Sequence, residues 1–152
     1  MEYNYDIETA KANDNYYFYF AYGSNMNLEQ MSVRCPTGIK IGKGILRNYR
    51  VVEAKYADID ESIDSNVNGL VWKVNENELK NLDVYEGYPE QYFRFIKQVD
   101  MNGKLIQCII YKMTNEYREK KKNVHYSEDY KKACRKGAED NGILSVFQII
   151  KK

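Results

Sequence analysis

The sequence predicts an α+β fold, a curved, barrel-like and largely antiparallel sheet surrounded by short helices. Three observations carry this reading. Segments of β character outnumber helical ones and never alternate with helices in the βαβ pattern that builds parallel sheets. The dipeptide Asn102-Gly103 separates two apolar runs, the strongest short signal for an antiparallel hairpin, because both residues tolerate positive φ. The helical patterns are short, and most carry cap residues of their own. A chain of 152 residues, 43% apolar and 30% charged, suits one soluble domain. At this length folding buries roughly 68–70% of the unfolded surface, enough for a core without staples. With no repeat, proline-rich linker or low-complexity stretch, the reading is a single domain over residues 16–152 behind a flexible, polar lead-in at 1–15.

Taken in order, residues 16–21 (Tyr-Tyr-Phe-Tyr-Phe-Ala) form a continuous aromatic run, as in a strand buried on both faces. The run stops at the turn chemistry of Tyr22-Gly23-Ser24-Asn25. A short helix is expected over 28–33, with Asn25 or Asn27 as its N-cap and Pro36 helping to end it. Residues 39–55 have β character interrupted at Gly42 and Gly44, which suggests a bent or bulged strand. The acidic stretch 58–66 reads as a loop, and 67–74 as a further strand. Asn75 and Glu78 have capping-box spacing and open a helix to about residue 84 that buries Leu79 and Leu82. Strands at 92–99 and 104–113 flank the Asn-Gly turn. Residues 118–123 read as a basic loop. Ser127 followed by Glu128 and Asp129 starts a helix that Gly142 ends, and a last short helix is expected over 145–151.

Composition narrows the function. The net charge of +1 gives no global field for nucleic acid or an acidic membrane, and the apolar runs fall far below the roughly 18 residues of a membrane span. Neither a nucleic-acid nor a membrane partner is therefore expected. Cys35, Cys108 and Cys134 are widely spaced and the single histidine is His125, so neither a zinc site nor a disulfide framework is expected. The chain reads as cytoplasmic and reduced, without a metal or organic cofactor. Fifteen tyrosines are unusual; most should serve the core, and the remainder should line a polar cleft.

Two local features bear chemistry. At Tyr22-Gly23-Ser24-Asn25-Met26 a buried strand meets a helix start, where glycine admits close backbone approach and free N–H groups favour an anion. A plain strand-to-helix turn has the same pattern. Ser24 is not read as a nucleophile, since the Gly-x-Ser-x-Gly elbow is missing and the only histidine sits beside a lysine-rich stretch. The second feature is Leu82-Asp83-Val84-Tyr85-Glu86-Gly87-Tyr88-Pro89. Glu86 sits at a helix C-terminus, where the dipole opposes its charge, and Tyr85 and Tyr88 flank it. Both influences raise a carboxyl pKa toward neutrality. A surface glutamate before a turn is the alternative.

Taken together, the segments 19–26, 69–74 (Gly-Leu-Val-Trp-Lys-Val), 79–89 and 92–94, in this order and spacing, resemble the γ-glutamylcyclotransferase family and its AIG2-like relatives. The tail adds 111–115, 127–132 and 137–142, so the similarity covers about residues 17–142. The resemblance implies a mixed, barrel-like sheet with surrounding helices and a cavity between the Tyr-Gly-Ser-Asn loop and the glutamate. It implies Glu86 as catalytic acid/base, Tyr19, Phe20, Ala21, Tyr22, Gly23, Ser24 and Asn25 as the substrate-binding stretch, and Tyr130 as a further substrate contact. The implied activity is intramolecular cyclisation of a small-molecule γ-glutamyl substrate to 5-oxoproline and a free amine. The alternatives are a γ-glutamylamine or γ-glutamyl-metabolite substrate, or a non-catalytic binding module on the same fold. The oligomeric state stays open, a homodimer included. Departures fall at Tyr126, where the family often has proline, at Asp58, where a small hydroxyl residue is common, and in a shorter stretch between Arg47 and Gly69. Asn25 differs from the leucine of the glutathione-specific branch. These differences bear on the leaving group more than on the chemistry.

Overall fold

The structure, a computed structural model, describes residues 3–149. Five strands close into a barrel in the order β1-β3-β2-β4-β5: β1 (Tyr17–Ala21), β2 (Ile39–Ala54), β3 (Tyr56–Val74), β4 (Tyr92–Met101) and β5 (Lys104–Met113). All neighbours pair antiparallel except β1 and β5, whose parallel contact at Tyr19 and Ile109 completes the ring and makes the sheet mixed. Among the described residues five α-helices surround it: α1 (Leu28–Arg34), α2 (Glu76–Glu86), α3 (Asn115–Lys121), α4 (Glu128–Asp140) and α5 (Val146–Ile149). Fully buried Phe20, Tyr49, Ile59, Leu70, Phe95 and Ile110 anchor the core.

Local sequence explains most boundaries. Asn27 caps α1 by accepting from the Gln30 N–H at 3.0 Å. Asn75 and Glu78 form the complete capping box of α2, and Gly87 ends that helix in the left-handed region (φ 67°, ψ 37°) that glycine adopts without a Cβ clash. Ser127 caps α4. The hairpin turn takes positive φ at Asn102 and Gly103, 55° and 88°.

Several expectations are corrected. Residues 58–66 are strand, not loop, because they continue the ladder against β2; only four residues, 62–65, bulge out opposite Asn48, between the pairs Arg47–Asn66 and Tyr49–Glu61. The acidic side chains are compatible with a strand because Asp58 and Asp60, two apart on one face, find cations. Residues 118–121, expected in a basic loop, belong to α3, since Arg118 turns inward to those aspartates. Gly42 does mark a bulge, but the register runs straight through Gly44, paired with Gly69. A Cβ on Gly69 would stand 2.6 Å from the Phe20 ring, and one on Gly44 would stand 2.5 Å from Val99, so Gly69 makes room for the Phe20 ring and Gly44 for the Val99 side chain. The N-terminal segment packs on the barrel: the Ile96 N–H donates to the Asn4 carbonyl at 2.7 Å, Tyr3 lies against Phe93 and Phe95, and Ala10 is buried. The last helix is described over Val146–Ile149; positions 150 and 151 lie outside the described residues.

Candidate active site

A cavity of about 480 Å³ opens where the end of β1, the β2–β3 turn, the start of β4, the end of β5 and the helices α1 to α4 converge. Eight of the fifteen tyrosines line it. Rigid rings with polar tips give a wall at once apolar enough to desolvate a charge and able to hydrogen-bond.

The Tyr-Gly-Ser-Asn loop forms one wall. After β1 the chain makes a 3-10 turn over Ser24–Met26, held by the Met26 and Asn27 N–H groups donating to the Gly23 and Ser24 carbonyls. The N–H groups at the start of such a turn have no internal acceptor. Asn25, buried at 4% exposure, donates through Nδ2 to the Tyr19 hydroxyl (2.9 Å), while its carbonyl accepts from Trp72 Nε1 (3.1 Å). Its Oδ1 accepts from Arg34 (2.6 Å) and Gln30 (3.3 Å). Gln30 also donates to Ser24 Oγ at 2.6 Å. Loop and α1 are thus locked as one polar unit.

Tyr130 reaches the loop from α4. Its hydroxyl accepts from the Ala57 N–H at 3.0 Å and would stand 2.8 Å from a Cβ on Gly23, so a side chain at position 23 would push it away. The Ala57 carbonyl accepts from the Tyr92 hydroxyl at 2.9 Å, and the Tyr22 hydroxyl donates to the Tyr111 carbonyl at 2.7 Å. Of the stretch 19–25, all but Ala21 line the cavity; Ala21 is packed in the core. Phe20 reaches the wall, but its ring fills the space over Gly69.

Glu86 occupies the last turn of α2 and lines the cavity. Desolvation pushes its carboxyl up to about 7, Arg34 pulls it down, and Asp83, one turn earlier on the same helix, pushes it up. Its carboxyl has no hydrogen-bond partner among the described residues. Tyr85 and Tyr88, expected to supply the desolvation, are more exposed and instead carry Arg34 and Arg94 over their rings at 4.2 and 4.3 Å. The desolvating wall comes from the buried Tyr19, Tyr22, Tyr92 and Tyr111, far apart in sequence. Asp83 also pairs with Arg94 and accepts from the Tyr111 hydroxyl (2.6 Å), tying α2 to β4 and β5.

Sequence reasoning missed Arg34, Gln30, Lys55 and Lys121, all on the cavity wall. Gln30 and Arg34 stand four apart on α1 and share a face, a signal present in the sequence. Nothing local marks Lys55 or Lys121. The cavity wall holds no cysteine or histidine among the described residues, and His125 is exposed beside Glu53.

A family model described as gamma-glutamyl cyclotransferase, AIG2-like, matches residues 19–132. A Bos taurus protein named gamma-glutamylcyclotransferase is 31% identical over 160 residues, spanning 95% of this chain and 82% of its own. A Homo sapiens protein of the same name is 30% identical over 146 residues, spanning 87% and 75%. A solved structure named gamma-glutamyl cyclotransferase superposes with a TM-score of 0.73 at 29% identity, covering 84% of this chain and 80% of its own.

Proposed function

This chain belongs to the gamma-glutamyl cyclotransferase, AIG2-like family, and from that premise we propose that it cyclises small γ-glutamyl compounds to 5-oxoproline and a free amine, with Glu86 as acid and base. The observation that carries the reading is a carboxyl held near pKa 7 in a tyrosine-lined cavity, beside a loop rich in hydrogen-bond donors. The substrate brings its own nucleophile, so a wall without cysteine or histidine suits the reaction.

The sequence of events follows. Glu86 as carboxylate takes a proton from the substrate α-ammonium. The freed nitrogen pair attacks the γ-carbonyl carbon, closing a five-membered ring and placing negative charge on the oxygen. The N–H groups around Gly23 to Asn25 meet that charge. As the carbonyl re-forms, the bond to the leaving nitrogen breaks and Glu86 returns its proton to that nitrogen. The ring nitrogen then gives up its second extra proton to Glu86, which passes it to the departing amine, so that the lactam is neutral, the amine leaves as ammonium and the carboxylate is restored. Holding amine and carbonyl in attacking geometry supplies up to roughly 7–11 kcal/mol of the barrier, and the proton transfers typically contribute about 10²–10⁴-fold. Arg34, beside Glu86 and Asn25, is the side chain best placed for the glutamyl α-carboxylate. The three cysteines are free and buried, in keeping with a reducing, cytoplasmic setting.

Incubation with γ-glutamyl-alanine in oxygen-18 water tests the reaction class. Cyclisation gives unlabelled 5-oxoproline and alanine in equal amounts; labelled glutamate would mean hydrolysis and overturn the proposal.

A further inference from the structure

The cavity carries more positive charge than a γ-glutamyl group alone needs. Lys55 sits at the turn between β2 and β3 in the left-handed region (φ 67°). Its N–H donates to the Val124 carbonyl at 2.6 Å, and the Val124 N–H donates to the Lys121 carbonyl at 2.9 Å. The backbone of one residue therefore ties the hairpin turn to the end of α3, bringing two lysines to the same cavity. In the run 120–122, Lys120 and Lys122 are exposed and Lys122 pairs with Glu119, whereas Lys121 is half-buried and lines the cavity. Lys55 lies 5.4 Å from the Tyr56 ring centroid and Lys121 lies 5.6 Å from that of Tyr117. Neither ammonium has a carboxylate partner among the described residues. The support beneath them is fixed, because Arg118, on the same helix as Lys121, is pinned by Asp58 and Asp60.

Three cations, Arg34, Lys55 and Lys121, thus face one carboxyl, Glu86, on the cavity wall, in a chain whose overall charge is only +1. The glutamyl half of a substrate brings one carboxylate, which Arg34 and the loop can hold. The lysines come from other elements and have no part in the chemistry. We infer that Lys55 and Lys121 form a leaving-group subsite for carboxylates, so that acidic amino acids are the preferred leaving amines. This rests on the cyclisation reading above. A neutral leaving amino acid engages the subsite through one carboxylate, an acidic one through two, and a simple amine through none.

The test compares γ-glutamyl-glutamate with γ-glutamyl-glutamine, which match in shape and differ by one charge. The subsite predicts a kcat/KM ratio of about fivefold or more in favour of glutamate at low salt, as expected for a partly exposed ion pair, shrinking at about 0.5 M salt. The double variant Lys55→Met, Lys121→Met brings the ratio to about one, and Lys121→Arg retains it. A ratio near one in the native protein, or one unchanged in a folded double variant, overturns the subsite. Binding of glutaryl-glutamate against glutaryl-glutamine, which lack the α-amine and cannot cyclise, asks the same question without turnover. A charge preference there with no 5-oxoproline from any substrate would sink the cyclisation reading and leave the subsite standing. Turnover of every dipeptide without a charge preference would do the reverse.

Discussion

At the scale of single residues, the Glu86 carboxyl is raised by its surroundings rather than by its neighbours in sequence. Its position at the end of α2, marked by Gly87, was legible because helix C-caps have a local grammar. The cause assigned to its pKa was not legible in full: Tyr85 and Tyr88 stack on arginines, and the rings that desolvate it come from β1, β4 and β5. Nor does sequence alone reveal that Arg34 opposes the shift, since that requires knowing which face of α1 meets the loop. A pH prediction follows from the directions. In the proposed reaction Glu86 must be a carboxylate to act as base, so kcat/KM should rise with pH through the folded-state value of about 7 and be lost below it. Arg34 favours the charged form; replacing it with glutamine moves the acidic limb upward, and a pH–rate profile of Arg34→Gln checks this. A limb that stays put or moves down would mean that another group titrates.

At the scale of elements, capped helices and the Asn-Gly hairpin were readable because their signals lie within a few residues of one another. The two misread segments fail for one shared reason. Residues 58–66 look too acidic for a strand and 118–123 too basic for anything but a solvated loop, yet they neutralise each other across about sixty positions. Arg118 bridges Asp58, which is fully buried, and Asp60, while Lys112 stands 3.3 Å from Asp60. Asp58 also accepts from the Met113 N–H at 2.9 Å. Removing the arginine leaves a buried carboxylate short of its main partner, so Arg118→Met should destabilise the fold by about 3 kcal/mol, read as a shift of the denaturant midpoint. Because α3 carries Tyr117 and Lys121 to the cavity wall, the same variant should weaken binding of acidic dipeptides where it remains folded. A midpoint within experimental error of the native one would contradict this account of the network.

At the scale of the whole molecule, the sequence reveals a curved sheet with surrounding helices but not the closure. That closure depends on a parallel contact between β1 and β5, nearly the whole sheet apart in sequence, and is packed through the paired Gly44 and Gly69, which leave room for Val99 and Phe20 respectively. Closure also makes the cavity, because it brings the loop after β1, the hairpin turn and four helix ends to one place. The Tyr-Gly-Ser-Asn loop and Glu86, which line the cavity, lie at local breaks in structure that the sequence marks, and the family resemblance singles them out; Arg34, Lys55 and Lys121 belong to ordinary-looking stretches and acquire meaning only once assembled. Ala21, within the implied stretch, turns instead into the core. The fold and the proposed chemistry are separable at one side chain, since Glu86→Gln preserves shape and hydrogen-bonding size while removing the proposed proton acceptor. The most direct measurement is therefore 5-oxoproline release by Glu86→Gln beside its binding of a γ-glutamyl dipeptide and its melting curve. The account predicts a folded variant that binds within a few-fold of the native protein and turns over at least about 100-fold more slowly; a folded variant with near-native turnover would contradict it.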